Sequence, residues 1–138
     1  MTKFKLQSEI QRVKYPYCGI KLMVAVVYGL CGPSRHEISM EQYAQCLEKR
    51  GFPPTEIEGY LFGTFVDQPL HFALLEQVAS DFLTNRPEDS HIFLIVTGLG
   101  PALASTIKAW HTISLTHRTN LHLLHWDRDT GNYRCQSM

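Results

Sequence analysis

Two uninterrupted apolar runs constrain the fold of this chain more than any other feature of its sequence. Residues 22–27 (LMVAVV) and 92–96 (IFLIV) are rich in branched side chains and contain no polar residue. A strand with one face in solvent alternates apolar and polar residues, whereas a strand of a parallel sheet is covered on both faces. The two runs therefore predict central strands of a mainly parallel sheet.

Two further segments predict strands on weaker patterns. Residues 121–126 (LHLLHW) resemble a third strand, and residues 57–66 (IEGYLFGTFV) a fourth that Gly59 and Gly63 interrupt. Residues 1–20 remain ambiguous, because Leu6, Ile10 and Val13 fit one helical stripe while 14–19 resembles an extended lead-in.

Helical patterns fall between the four predicted strands. Ser39 followed by Gln42 is a capping-box pattern, which predicts a helix over 40–50 that stops at Gly51. Pro69 and Pro101 each suit the first turn of a helix, and we expect helices over 70–83 and 101–115. In the earlier of these two, the predicted buried stripe consists of Leu70, Leu74, Val78 and Phe82, with Leu75 and Ala79 beside it.

The resulting order is β-α-β-α-β-α-β, with connections short enough for parallel crossovers. It predicts one small Rossmann-like α/β domain over residues 1–138, with a mainly parallel four-stranded sheet flanked by helices. Residues 129–132 (DTGN) predict a final β-hairpin in which Gly131 takes a positive φ.

The net charge of zero conceals a segregation along the chain. Residues 1–35 carry a charge of +5, residues 36–90 carry −7, and residues 101–138 carry +2. A balanced total argues against nonspecific binding to long nucleic acid, which needs a broad basic face. A local basic site formed by distant segments would instead suit a small anion.

Other composition features exclude several classes of protein. No apolar run reaches the length of a membrane span, and the first residues lack the apolar core of a secretory signal. We therefore expect a cytoplasmic protein that does not engage a membrane. The four cysteines, at 18, 31, 46 and 135, show no metal-binding spacing and are interpreted as reduced, packed thiols.

The loop at 97–102 is the most informative segment for function. In an open α/β sheet, ligands bind beyond the carboxyl ends of the strands, and glycines let backbone N–H groups approach an anion at a helix start. The loop is neither a dinucleotide-binding fingerprint nor a Walker A loop, and the alternative is a tight turn that merely needs glycine. The candidate ligand-binding residues here are Thr97, Gly98, Leu99, Gly100, Pro101 and Ser105, with Lys108 as a candidate catalytic cation.

Loops after the other predicted strands supply further candidates. The first strand runs into Tyr28 and Gly29 and then Arg35, and the strand at 57–66 contains Thr64 near its end. His36 suits a phosphate contact or a general acid and base near neutral pH, with a solvated loop histidine as the alternative.

The predicted strand at 121–126 ends in Asp127 and Arg128, which could face the ligand edge. Arg128 could clamp a phosphate with two hydrogen bonds, whereas the alternative is a surface ion pair in a charged turn. The catalytic candidates of the chain are thus His36, Lys108 and Arg128.

Metal binding is not expected, although the chain has seven histidines. No helical His-x3-His or His-Glu-x-x-His pattern occurs, and His122 and His125 would face opposite sides of a strand. We expect no metal and no cofactor.

Two C-terminal segments are similar to sequences of CRISPR-linked proteins. Residues 96–102 (VTGLGPA) resemble the VTGLSP-type loop of CRISPR-associated Rossmann-fold (CARF) domains, and 123–133 (LLHWDRDTGNY) resemble the HYDRETGxY ending of small CRISPR-linked proteins. In CARF domains the loop follows the first strand, whereas here it follows the strand at 92–96, which is the third predicted strand along the chain. The resemblance implies binding of a cyclic oligoadenylate messenger, usually across a homodimer interface, and some small relatives are ring nucleases that cleave it.

Three hypotheses follow. The first is a homodimeric, metal-independent ring nuclease, in which a ribose 2′-hydroxyl attacks its own phosphate. The second is a module of the same fold that senses or sequesters the nucleotide without cleaving it. The third is a small α/β interaction protein with no nucleotide ligand, whose glycine loops are structural.

Overall fold

The sheet is built around its longest strand, β2 (Gly19–Cys31), in a computed structural model that describes residues 10–15, 19–32, 37–63, 69–98 and 100–138. β1 (Ile10–Tyr15) pairs antiparallel with the first half of β2. β3 (Ile57–Phe62) and β4 (His91–Ile95) pair in parallel with its second half. The ambiguous N-terminal segment thus contains a strand.

The remaining strands extend the sheet on the far side of β4. β5 (Asn120–Asp127) lies parallel to β4, and β6 (Asn132–Ser137) returns antiparallel along β5. The two apolar runs are internal, and the predicted α/β class and C-terminal hairpin are confirmed, with Gly131 at a φ of 71°. The predicted four-stranded sheet is corrected to a six-stranded mixed sheet, because β1 and β6 add antiparallel neighbours.

Three α-helices connect the parallel strands. They are α1 (Ala44–Glu48), α2 (Phe72–Thr84) and α3 (Gly100–Ile113). The helix predicted over 40–50 is a single 3-10 turn followed by α1. Gln42 accepts a hydrogen bond at 3.1 Å from the Ser39 backbone N–H, as one half of the predicted capping box, and Gly51 follows α1 with a φ of 83°. None of the described helices is long and apolar enough to cross a membrane.

The sheet is covered on both faces. On one side, here called the α2–α3 face, the two longer helices pack against side chains such as Leu30 and Leu94. On the other side, the α1 face, Leu47 and Phe52 pack against Val27 and neighbouring strand residues. Alternate residues of the apolar runs enter opposite cores, which explains why those runs contain no polar residue.

The buried stripe predicted over 70–83 is confirmed at Val78 and Phe82, which pack against the core of the α2–α3 face, and is wrong at its first two positions. Leu70 is 70% exposed and Leu74 is 49% exposed, whereas Leu75 and Leu83 are buried on the α2–α3 face with Ala79 between them. Both rows repeat every four residues, so spacing alone does not distinguish them. The buried row has a small residue at its centre, and this permits a close approach between the helix and the sheet.

Candidate functional site

The order of the parallel strands defines one candidate edge. From β2 the chain moves outward to β3, then crosses back to β4 and continues to β5, giving the order β3-β2-β4-β5. The direction of winding therefore reverses between β2 and β4. In open α/β sheets, ligands bind beyond the carboxyl ends of the strands at this position.

A single hydroxyl joins the ends of β2 and β4. The Thr97 hydroxyl donates a hydrogen bond to the Cys31 carbonyl at 2.6 Å and accepts one from the Cys31 N–H at 3.2 Å. Both backbone groups at the end of β2 are thereby paired. Thr97, predicted to orient a ligand, uses its hydroxyl proton to hold the loop against β2.

Gly98 and Gly100 differ in what they require. Gly98 has a φ of 86°, and a Cβ there would lie 2.5 Å from the Cβ of Cys31, so this position needs glycine for both conformation and space. Gly100 opens α3, and among the described residues no atom outside its chain neighbours and the backbone of its own helix lies within 4 Å of where its Cβ would be. Gly98 is therefore constrained by its backbone conformation and by Cys31, whereas Gly100 faces open space.

α3 begins beside that open space, at Gly100. α3 is 14 residues long, has Pro101 in its first turn and carries no acidic residue there. The first N–H groups of a helix lack partners within it, and the aligned peptide dipoles make this end positive. An anion seated above Gly100 would meet both effects.

Two predicted site residues of α3 lie elsewhere on the helix. Ser105 is buried in the face of α3 that packs in the core. The Lys108 ammonium lies 3.3 Å from the Glu76 carboxylate, on the outer surface between α2 and α3. Eight residues of helix separate Lys108 from Gly100, which amounts to about 12 Å along the axis.

Tyr28 belongs to the packing of the α2–α3 face. Its ring meets Phe82 edge-on at 4.7 Å between centroids, and its hydroxyl accepts a hydrogen bond from Arg86 at 3.0 Å. The Arg86 guanidinium also lies over both rings, 5.4 Å from the Tyr28 centroid and 4.6 Å from that of Phe82. Tyr28 therefore fixes the segment after α2 and does not point into the candidate edge.

Gly29 leaves room for a neighbouring aromatic ring. A Cβ on Gly29 would lie 2.4 Å from the Tyr60 ring, and one on Gly32 would lie 2.1 Å from it, so this ring lies directly over the end of β2. Gly29 and Tyr60 are paired across β2 and β3. The sequence pattern overlooked Tyr60, although an aromatic residue opposite a strand glycine is a recognisable signal of such packing.

A second tyrosine of the α1 face lies near Tyr60. Tyr133 packs against the α1-face core, and its ring meets Trp126 at 5.1 Å between centroids. Burial raises the pKa of Tyr133, and the nearby Tyr60 hydroxyl raises it further. The two phenols are therefore close enough to interact, and sequence reasoning assigned neither to a site.

The corner between β5 and β6 carries charged groups. Asp127 accepts a hydrogen bond from the Asp129 N–H at 3.0 Å and lies 3.6 Å from the Arg134 guanidinium. The Asp129 N–H is the main cause that lowers the pKa of Asp127, and Arg134 adds to it. Arg128 is exposed in the turn itself, and Arg134 is the missed cation of this corner.

The remaining predicted residues, Arg35, His36, Thr64 and Leu99, lie outside the described part of the chain. Among the residues that the structure describes, Thr97, Gly98, Gly100 and Pro101 follow the end of β4, whereas the Tyr60 and Tyr133 rings lie near the ends of β3 and β5. Lys108 lies apart from the candidate edge on the far surface of α3. No group of three or more His, Cys, Asp or Glu suited to a metal ion occurs among the described residues.

Comparison with known proteins adds no family assignment. No protein-family model, curated protein or solved structure matches this chain.

Proposed function

We propose that this chain is a cytoplasmic nucleotide-binding protein that takes an anionic oligonucleotide at the carboxyl edge between β2 and β4. One observation carries the proposal. The strand order reverses at this edge, where Gly98 and Gly100 lead into an α-helix whose first turn has no acidic residue and faces open space.

Aromatic groups on the α1 face favour a nucleotide over a bare phosphate. Tyr60 and Tyr133 are both half-buried near the ends of β3 and β5, and their rings offer flat surfaces on which bases could stack. Arg134 and Arg128, at the neighbouring corner, add positive charge. The ligand class we propose is a cyclic oligoadenylate, on the resemblance of loop 96–102 to CARF domains.

Cleavage of the bound ring is part of the proposal. A ribose 2′-hydroxyl would attack the adjacent phosphorus, the P–O bond to the 5′-oxygen would break, and that oxygen would leave with a proton, giving a 2′,3′-cyclic phosphate. The protein must hold the attacking and leaving oxygens in line and stabilise the developing charge. Backbone N–H groups at the start of α3 can supply the second requirement.

The assembly we propose is a C2 homodimer, because a ligand with several phosphates is best enclosed by two symmetric copies. Light scattering should give about twice the protomer mass of 15.8 kDa. A mass of one protomer, both with and without a cyclic oligoadenylate, would contradict this arrangement.

Incubation of the purified protein with labelled cyclic oligoadenylates of different ring sizes, with EDTA present, tests the function. We expect retention of one ring size and its conversion to a linear product. Retention without a product would support the proposed binding and contradict the proposed cleavage. Neither retention nor product would support the third hypothesis, an interaction protein with structural glycine loops.

A charge substitution at Gly100 tests the position of the site. A carboxylate in the first turn interacts favourably with the helix dipole, so Gly100→Glu should fold as well as the parent chain or better. The same charge would repel an anionic ligand, and we expect at least a tenfold loss of affinity. The neutral Gly100→Gln, of nearly equal size, is the matched control and should bind more tightly than Gly100→Glu. Equal affinity of the two variants would place the ligand elsewhere.

A further inference from the structure

A separate group of reactive side chains lies on the α1 face. Cys46, on α1, is 4% exposed and belongs to the core of that face, and Cys135, on β6, is half-buried against the same core. The Cys46 thiol donates a hydrogen bond to the Tyr133 carbonyl at 3.4 Å, two residues before Cys135, and the Cys46 and Cys135 side chains pack in the same core. Two thiols from segments 89 positions apart are thus brought together without a disulfide bond between them.

Hydrogen-bond donors surround the Cys135 sulfur. The Nδ1 of His122 lies 2.7 Å from the Ser137 hydroxyl, which links the imidazole to the surroundings of Cys135. That hydroxyl accepts a hydrogen bond from Arg50 at 3.1 Å and lies 4.0 Å from the Cys135 sulfur. The far nitrogen of His122 is held by His91 at 2.9 Å, which fixes the plane of the ring.

These neighbours shift the pKa values of the two thiols in opposite directions. The hydrogen bond from Cys46 is the main cause that lowers the pKa of Cys135, and His122 and Arg50 lower it further against the effect of burial. The same contact raises the pKa of Cys46, with burial adding to the rise and Lys49 and Arg50 opposing it. Cys135 is therefore the more acidic of the two thiols.

We propose that Cys135 and Cys46 form a thiol–disulfide exchange site whose substrate is a low-molecular-weight disulfide, such as oxidised glutathione. The Cys135 thiolate attacks one sulfur of the substrate, whose S–S bond breaks and releases one thiolate. That thiolate takes up a proton. Cys46 then loses its proton to solvent and attacks the Cys135 sulfur, which displaces the second substrate thiolate. Overall, two protein thiols are oxidised to one disulfide and the substrate is reduced to two thiols.

The position of each cysteine suits its step. β6 ends the sheet, so Cys135 lies on an edge strand and is partly accessible to a small molecule. Cys46 is the more buried of the two, at 4% exposure, and packs in the same core. The attacking thiol is thus the accessible one, as the sequence of steps requires.

Titration of the full chain with oxidised and reduced glutathione, followed by peptide mapping without reduction, tests the site. We expect a single intrachain disulfide that joins Cys46 to Cys135. In Cys46→Ser, glutathione should remain attached to Cys135 as a mixed disulfide. In Cys135→Ser, Cys46 should react at least tenfold more slowly. A disulfide that involves other cysteines, or no disulfide at any glutathione ratio, would overturn the proposal.

His122 is assigned as a positioning residue, and a pH profile separates this role from a structural one. The rate of Cys135 alkylation by iodoacetamide should reach half its maximum at a higher pH in His122→Phe than in the parent chain. Circular dichroism confirms that the variant is folded, and Cys46→Ala, which removes the other donor, should shift the profile in the same direction. If neither variant moves the profile, the donors do not activate Cys135 and the assignment is wrong.

Discussion

At the scale of single residues, the Thr97 hydroxyl decides how the candidate edge is held together. It pairs with both the carbonyl and the N–H of Cys31, across 66 positions of sequence. No backbone hydrogen bond between β2 and β4 takes over this task, since their pairing ends at Gly29 and Ile95. The Thr97 side chain therefore helps to hold the start of this loop against the end of β2.

Replacing Thr97 with valine keeps the shape of the side chain and removes both hydrogen bonds. Two hydrogen bonds to the Cys31 backbone in a half-buried position are then lost, which should lower the free energy of unfolding by about 1–3 kcal/mol. Thr97→Ser retains the hydroxyl and should cost less. Denaturant unfolding of both variants measures the difference, and equal stabilities would show that the hydroxyl does not hold the strand ends.

His91 should make the protein sensitive to mild acid. Burial, followed by the neighbouring His122 and Arg50, lowers the pKa of His91 to about 4 from an ordinary value of 6.5, against an opposing effect of Asp89. Between these two values the unfolded chain binds a proton that the folded chain does not. The contribution of His91 to the free energy of unfolding should therefore be fully present above pH 6.5. It should fall by about 2 kcal/mol for this partly buried group as the pH drops towards 4.

A comparison of variants isolates this contribution from that of the carboxylates. Denaturant unfolding at pH 7 and pH 4.5 should show a smaller acid loss for His91→Gln, whose amide can still bond to His122. His111→Gln, at an exposed position, is the matched control and should behave as the parent chain does. An acid loss in His91→Gln as large as that of the parent chain would contradict the assignment.

Among the candidate site residues, the glycines were the easiest to recognise in the sequence, but the sequence did not show why each position needs glycine. The Gly-x-Gly pattern correctly marked the loop after β4, but spacing did not reveal that Gly98 is required by Cys31 while Gly100 faces open space. The reason is that the first requirement comes from a segment 67 positions earlier in the chain. Tyr60, over Gly29 and Gly32, escaped prediction for the same reason.

At the scale of elements, α2 shows where periodicity stops being informative. Its neighbouring rows of apolar residues have the same spacing, and the structure buries the row that contains Leu75 and leaves Leu74 49% exposed. Strands were easier to predict. An apolar run with no polar residue has to be covered on both faces, so its central position follows directly, whereas β1 lacks such a run and was ambiguous.

The two adjacent leucines give a direct test of the buried row. Leu75→Ala removes a side chain that is 2% exposed and should lower the free energy of unfolding by about 2–4 kcal/mol. Leu74→Ala makes the same chemical change one residue earlier and should stay within about 0.5 kcal/mol of the parent chain. Thermal unfolding followed by circular dichroism measures both. Equal losses would show that α2 is rotated about its axis, so that Leu74 is buried to the same extent as Leu75.

At the scale of the whole molecule, the proposed Cys46–Cys135 disulfide would close most of the chain into one loop. In the chain-entropy account, a closed loop of this length stabilises the folded state by about 4–5 kcal/mol relative to the reduced protein. Oxidised protein should therefore unfold at a clearly higher denaturant concentration, and dithiothreitol should reverse the shift. A midpoint that oxidation lowers would mean that the bond strains the α1 face.

β2 has a consequence for how the molecule opens. Its residues Val27, Tyr28 and Gly29 are bonded to β3 on one side and to β4 on the other, while the first half of the same strand holds β1. Each amide proton in the middle of this strand points towards one of these hydrogen-bonded neighbours and can meet solvent only when that neighbour separates from it. In deuterated buffer these protons should be among the slowest of the chain to exchange, at a rate that reports opening of the sheet around β2.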